Sequence, residues 1–378
     1  MRASFFRAPR IVVALTAGLA VAAGIAAAAS AAPGGAGVLY TATNAASGNT
    51  VLVFDRAADG SLTAAGSVAT GGLGSGGGLG NQGGLVLSHN GRSLFVVDAG
   101  SYEISALAVG HNGLELVGKV SSGGVQPLSL TVSGDLLYVL NAGGGGSPAN
   151  ISGFRIDDGA LAPIAGSTRP LSGASVGPAE IAFDPSGRVL AVTEKGTSLI
   201  DTYTVGADGL ASGPSSQPSA GTTPFGFAFD KRGHLIVSDA FGGAPSAGAL
   251  SSYAVARDGT LTTISGVVGD SQAAPCWVVT TKNGRYAYTS NTGSDSISSY
   301  RIGRDGSVAL LNSIGGSTGP GSAPIDMALS RGSHYLYALD SGTHAISVFR
   351  VESDGSLTPL GSAGITGLPA GTNGLAAS

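Results

Sequence analysis

Seven apolar segments of this sequence end in an acid or an amide, at Asn44, Asp98, Asn141, Glu194, Asp239, Asn291 and Asp340. Asn and Asp at a strand end hydrogen-bond the following backbone and accept left-handed conformations, so most of this set reads first as turn chemistry. Glu194 stands apart, because Glu is a poor turn-former. A carboxylate at such a position can act as a general base toward water or a substrate carbon, which makes Glu194 the catalytic candidate. Arg169, in Ser-Thr-Arg-Pro, and Lys195 are among the few cations near it in the pattern, and either could stabilise a developing oxyanion. Trp277 and Gln126 could hold a substrate, and Gln82, Glu180 and Asp326 add amides and acceptors to the same set.

Other chemistries find less support. No His, Cys and Asp cluster has metal-ligand spacing, and the Asp-Gly turns lack the alternating carboxylates of a calcium loop, so no metal and no cofactor is expected. Gly71–Gly84 has a superficial phosphate-loop spacing, but it falls between two strand patterns with no helix after it. A flexible mouth loop or lid is the expectation there. Cys276 is the only cysteine, so no intrachain disulfide can form, and beside Trp277 it reads as a buried structural thiol.

The elements that must position these residues follow from repetition. Asp-Gly or Asn-Gly turns recur at Asp59, Asn112, Asp158, Asp208, Asp258, Asp305 and Asp354, a period of about 50 residues. Within one period, Ala274–Ile314 reads as four strands: Cys276–Thr280, Tyr286–Ser290, Ser296–Ile302 and Ser307–Ser313. Such a sheet has two raw faces and two raw edges, so it needs copies of itself. The expected fold is therefore all-β: a seven-bladed β-propeller of four antiparallel strands per blade. The chain enters at the second strand of the first blade near Val38, and the tail Gly367–Ser378 is expected to supply the missing inner strand and close the ring. Alternating strand direction places the turns between first and second strands, and those between third and fourth, on one face. The remaining loops, with the residues named above, gather around the other mouth of the central channel.

Composition agrees. Of 378 residues, 64 are Gly and only 11% are charged, which suits short strands and many turns and argues against a nucleic-acid binder. Arg2, Arg7 and Arg10 precede the apolar run Ile11–Ala29, and Ala29-Ser30-Ala31 offers small residues for cleavage. Residues 1–31 are read as a secretory signal, with an uncleaved anchor as the alternative, and residues 32–378 as one propeller domain. Removing the three arginines takes the formal charge from −4 to −7, and the mature protein is expected to be a secreted monomer without membrane affinity.

Units such as GPAEIAFDPSGRVLAVTEKGTSLIDTYTVGADG resemble the seven-bladed propeller lactonase family, which includes 6-phosphogluconolactonase and carboxymuconate cyclase, and YAYTSNTGSDSISSY is similar to the YVTN-type repeat. The resemblance implies a lactone hydrolase or lactone-forming isomerase working in the channel mouth on a small lactone. Gly177-Pro178 and Glu194 match the family pattern. Thr193 stands where the family has Asn, Ala179-Glu180 where it has a cationic pair, and Pro127-Leu128-Ser129 where it has Pro-His. A propeller that binds an extracellular peptide, glycan or cell-wall ligand without turnover stays open beside it.

Overall fold

The computed structural model describes residues 36–378, so the expected export segment lies outside the described residues. Seven antiparallel sheets form a propeller. In blade 4 the strands run Pro178–Phe183, Val189–Glu194, Leu199–Val205 and Ala211–Pro218, here called A to D from the channel outward. Ala274–Ile314 is blade 6, with strands Pro275–Thr280, Tyr286–Asn291, Ser296–Ile302 and Val308–Ser317. The first blade is built from both ends of the described chain: Gly37–Ala42, Thr50–Arg56 and Leu62–Ala69 are joined on the inside by Asn373–Ala377, which pairs antiparallel with Gly37–Ala42. The expected ring closure by the tail is what the structure shows. Closure matters because it covers the inner edge of Gly37–Ala42 and gives blade 1 the inner strand that the other blades have.

Each blade packs on the next through large side chains of its B strand. Tyr138, Tyr288 and Tyr337 are buried between sheets, and their hydroxyls donate to the carbonyls of Gly209, Gly355 and Gly60 at 2.6, 3.0 and 3.1 Å. The acceptors are the glycines of the repeated Asp-Gly turns in the following blade. At Gly355 a Cβ would lie 2.3 Å from the Tyr286 ring, and φ is +89°, so both space and backbone favour glycine there. The turn aspartates close these hairpins: Asp59 and Asp354 each accept the amide two residues on at 3.0 Å.

The A strands share a frame. Five begin with proline, at Pro127, Pro178, Pro224, Pro275 and Pro324, and each carries a register shift just after it. A bulge at this point turns amides toward the channel, away from the B strand.

Removing residues 373–378 takes away the inner strand of blade 1 and reopens the ring. Differential scanning calorimetry is expected to show the melting temperature fall by about 5 °C or more. An unchanged transition would mean that the tail is not part of the cooperative fold.

Candidate functional site

The amides released by the bulges have to be accepted by something, since a buried N–H without a partner is strongly disfavoured. In three blades the acceptor comes from the residue two places after the proline in the preceding blade. Ser129 Oγ accepts Ile181 N at 3.1 Å, and Glu180 Oε2 accepts Phe227 N at 2.6 Å. Asp326 Oδ2 accepts Gly374 N at 2.8 Å. Blade 5 has Gly226 at this position and can offer no side chain. There Gln82 arrives from across the channel: its Oε1 accepts Val278 N at 2.9 Å, and its Nε2 donates to Val278 O at 2.8 Å and Phe227 O at 3.3 Å. A Cβ on Gly226 would meet Gln82 Oε1, so the glycine makes room for the amide that replaces it.

Gln82 belongs to the end of the glycine-rich segment 71–84, which is no lid. Its last residues enter the channel and plug it. Asn81, fully buried, donates to Leu128 O and accepts Asn373 Nδ2 at 3.1 Å. Gln82 N donates to Ala179 O at 3.1 Å, Gly83 O accepts Leu130 N at 2.8 Å, and the Gly83 amide adds to Asp326. The plug therefore bonds to the inner strands of the other six blades. Asn81 is not singled out by the sequence, where nothing distinguishes it from a loop amide.

The ring of B-strand ends is buried as a set and faces the blade junctions. Glu194 is fully buried: Oε1 accepts Ser172 N at 3.0 Å, and Oε2 accepts the hydroxyls of Ser172 and Thr197. The same Ser172 amide reaches Asp201 Oδ2 at 2.9 Å. Asp98 takes Ser105, Thr70 and Asn49 in the same way, and Asp239 takes Ser219. These groups hold the linker from the preceding blade onto the B–C corner. Glu194 does so with a longer arm where the C strand carries Asp201 and other blades carry Ser.

The expected convergence on Glu194 does not form. Arg169 sits at the outer edge of blade 3, where Nε donates to Ala211 O at 2.6 Å and Nη1 to Gly166 O and Thr168 O. Ala211 pairs with Val205, whereas Glu194 pairs with Leu199, so the guanidinium and the carboxylate are bonded at opposite ends of the third strand of blade 4. Gln126 is half-buried with φ +57°, and its carbonyl accepts Ala142 N at 2.9 Å. Glu180 and Asp326 are consumed in backbone pairing beside the plug.

Two of the expected residues do meet at the mouth. Lys195 Nζ donates to Gly80 O and lies 4.5 Å from the centre of the Phe225 ring, which packs 5.1 Å from Trp277. Burial holds the Lys195 ammonium below its ordinary pKa and pushes the neighbouring Cys276 thiol up to about 11. Trp277 borders a cavity of about 480 Å³ between the plug, blade 7 and the tail, together with Asp340, His344 and Asn373. Trp277 is 4% exposed and its Nε1 has no hydrogen-bond partner. Phe225 and His344 were missed as site residues; His344 lies in a B–C loop, a position the face-sorting of loops already marks as mouth. Among the described residues no group of three acidic, histidine or cysteine side chains is arranged to hold a metal.

Comparison with known proteins gives the family context. Residues 239–371 match the family model described as Lactonase, 7-bladed beta-propeller, so the resemblance read from the sequence is borne out over blades 5 to 7. No curated protein matches the chain. Among solved structures, a candidate 6-phosphogluconolactonase from Bacteroides uniformis is 21% identical with a TM-score of 0.71, covering 89% of this chain and 98% of its own. The periplasmic gluconolactonase of Pseudomonas aeruginosa is 17% identical with a TM-score of 0.68 over the same shares. A protein from Lactobacillus plantarum is 19% identical with a TM-score of 0.71, covering 90% and 99%. At these identities the structures establish the shared fold.

The buried acids set the response to pH. Burial raises Asp239, Asp326 and Asp340 to about 7 and lifts Glu180 well above its ordinary value. A folded-state pKa above the unfolded one means the folded state binds protons more tightly. The stabilisation is complete below about pH 4 and is lost as pH rises through 7. The exposed turn aspartates Asp59, Asp258, Asp305 and Asp354 are shifted the other way, and their contribution disappears only below about pH 4. Between pH 5 and pH 8 the melting temperature is therefore expected to drop by about 5 °C. Asp239→Asn should flatten that slope in calorimetric scans, and a melting temperature that rises with pH across this window would contradict the assignment.

Proposed function

We propose that this protein is an exported lactonase-type enzyme that takes a small lactone into the cavity at the mouth of the plugged channel. One observation carries the reading: the Trp277 indole N–H is a buried donor without a partner, in the wall of a cavity of small-molecule size. A rotation of the indole toward the cavity would present that N–H to a lactone carbonyl, and the bond would strengthen as charge develops on the oxygen. His344, exposed on the same cavity, serves as general base for the attacking water. The Phe225–Trp277 pair supplies the apolar wall, and Lys195 fixes it by binding the Phe225 face and the plug carbonyl at once. Glu194 positions the linker at Ser172 in this reading. Its burial and its three hydrogen bonds favour that role over proton transfer. The N-terminal cationic and apolar pattern supports export.

A second reading, ligand capture without turnover, is favoured by one feature: neither Glu194 nor Arg169 borders the cavity.

Hydrolysis of a lactone panel, followed by pH-stat titration, separates the roles. His344→Ala is expected to lower kcat by about 10²-fold or more. Trp277→Phe, which keeps the ring bulk and loses the N–H, should lower kcat/KM by about tenfold. Glu194→Gln should leave kcat within about threefold while lowering the melting temperature. Loss of kcat in Glu194→Gln with normal rates in His344→Ala would overturn the assignment. Saturable lactone binding without hydrolysis would establish the second reading.

A further inference from the structure

The plug leaves a second chamber on its far side, at the end of the channel ringed by the turns between A and B strands. It measures about 470 Å³ and is walled by Phe183, Ala228, Phe229, Val279 and Leu329, with Glu180 and Gln82 at its inner end. Gln82 has no free hydrogen-bonding role there, because Val278 and Phe227 engage its amide on both sides. Glu180 is 5% exposed and has one hydrogen bond, from Phe227 N. Burial raises its pKa well above the ordinary carboxylate range.

Cations stand just beyond one side of this chamber. Three wall residues, Phe229, Thr280 and Leu329, are each followed two positions later by a cation: Lys231, Lys282 and Arg331 on three consecutive blades. All three are exposed, and among the described residues none is in an ion pair. The stem of Lys231 lies over Gly284 in the turn of blade 6, and Lys282 N is bonded to Ser333 in the turn of blade 7 at 2.9 Å, so the three turns are neighbours. The acids of this inner ring of turns are already engaged. Asp230 is buried against His234 at 3.0 Å and Arg232 at 3.7 Å. Asp184 closes its own turn on Arg188 N and Val189 N at 2.9 Å, and Asp135 pairs with Arg155 at 2.7 Å. An apolar chamber with a row of free cations beyond one side complements a molecule that is apolar at one end and anionic at the other.

We propose that the turn-side end of the channel is a second binding site, separate from the mouth, for an amphipathic monoanion such as an alkyl carboxylate. The tail enters between Phe183, Phe229 and Leu329 up to the Gln82 plug, and the head group stays in water toward Lys231, Lys282 and Arg331. The phenyl walls supply most of the affinity, and the cations select the sign of the head group.

Isothermal titration calorimetry of the intact protein with decanoate, below its micellar concentration, tests this directly, with decanol and decyltrimethylammonium as controls. The expected result is saturable binding of one decanoate per chain that weakens with added salt, and clearly weaker binding of both controls. Charge reversal at the three exposed sites, Lys231→Glu with Lys282→Glu and Arg331→Glu, should weaken decanoate about tenfold or more while leaving the melting temperature unchanged. Ala228→Trp should block the chamber in a protein that still melts cooperatively. Trp277→Phe, on the other side of the plug, should leave decanoate binding as it was, so the outcome is independent of the mouth reading. Absence of saturable binding, equal binding of decanol or decyltrimethylammonium, or a charge-reversed variant that binds decanoate normally would each overturn the proposal.

Discussion

The structure depends on how a ring of β-blades deals with the inner edge of its innermost strands. Each A strand has a B strand on one side and only the channel on the other, so its channel-facing amides and carbonyls must find partners or hold water. Here the bulge after each A-strand proline collects that demand at one position per blade. In three blades the residue two places after the proline meets it: Ser129 for blade 4, Glu180 for blade 5 and Asp326 for blade 1. The solution fails at Gly226, and the failure is made good by Gln82 from the other side of the ring. Residues that look like a scattered set of polar candidates are thus one device used in three blades, with Gln82 standing in at Gly226, while Trp277 at the same place in blade 6 offers no acceptor.

That device fixes where chemistry can occur. Because Asn81, Gln82 and Gly83 bond to the inner strands, the channel is not a through-pore. It becomes two separate ends with different linings. The mouth end has the unpartnered Trp277 donor, His344 and the Lys195–Phe225 contact. The turn end has phenyl rings, a buried carboxyl and three exposed cations beyond one side. Glu180 and Asp326 carry raised pKa values because they are buried to satisfy backbone, and Asp326 is coupled through Gly83 and Gly374 to both the plug and the ring-closing strand. Electrostatic strain in the core is therefore tied to closure of the ring.

The fold was legible in the sequence because it is written seven times. Asp-Gly turns and apolar segments ending in Asn or Asp are local signals with local causes, and the tail NGLAAS could be matched to inner strands by the same pattern. The site was legible only in part. Trp277 and Lys195 do face one region of the mouth, as expected from sorting loops by strand direction. Arg169 was misplaced because blade 3 splits its outer strand into Ala160–Pro163 and Arg169–Pro170, which no pattern in STRP announces. Glu194 drew attention as the odd member of its ring. Its length is explained by Ser172 and Thr197, which are contacts between segments far apart in the repeat. The plug was unreadable for the same reason: the glycines of residues 71–84 permit many paths, and the one taken is selected by partners on the far side of the ring.

The claim on which both ends of the channel rest is that residues 81–83 are built into the inner strands. Hydrogen exchange of the native protein measures this directly. The account predicts that the amides of Gln82, Leu130 and Val278, each bonded across the plug, exchange as slowly as those of the buried B strands. Exchange of these amides as fast as that of an exposed loop such as 143–147 would show an open channel and contradict it.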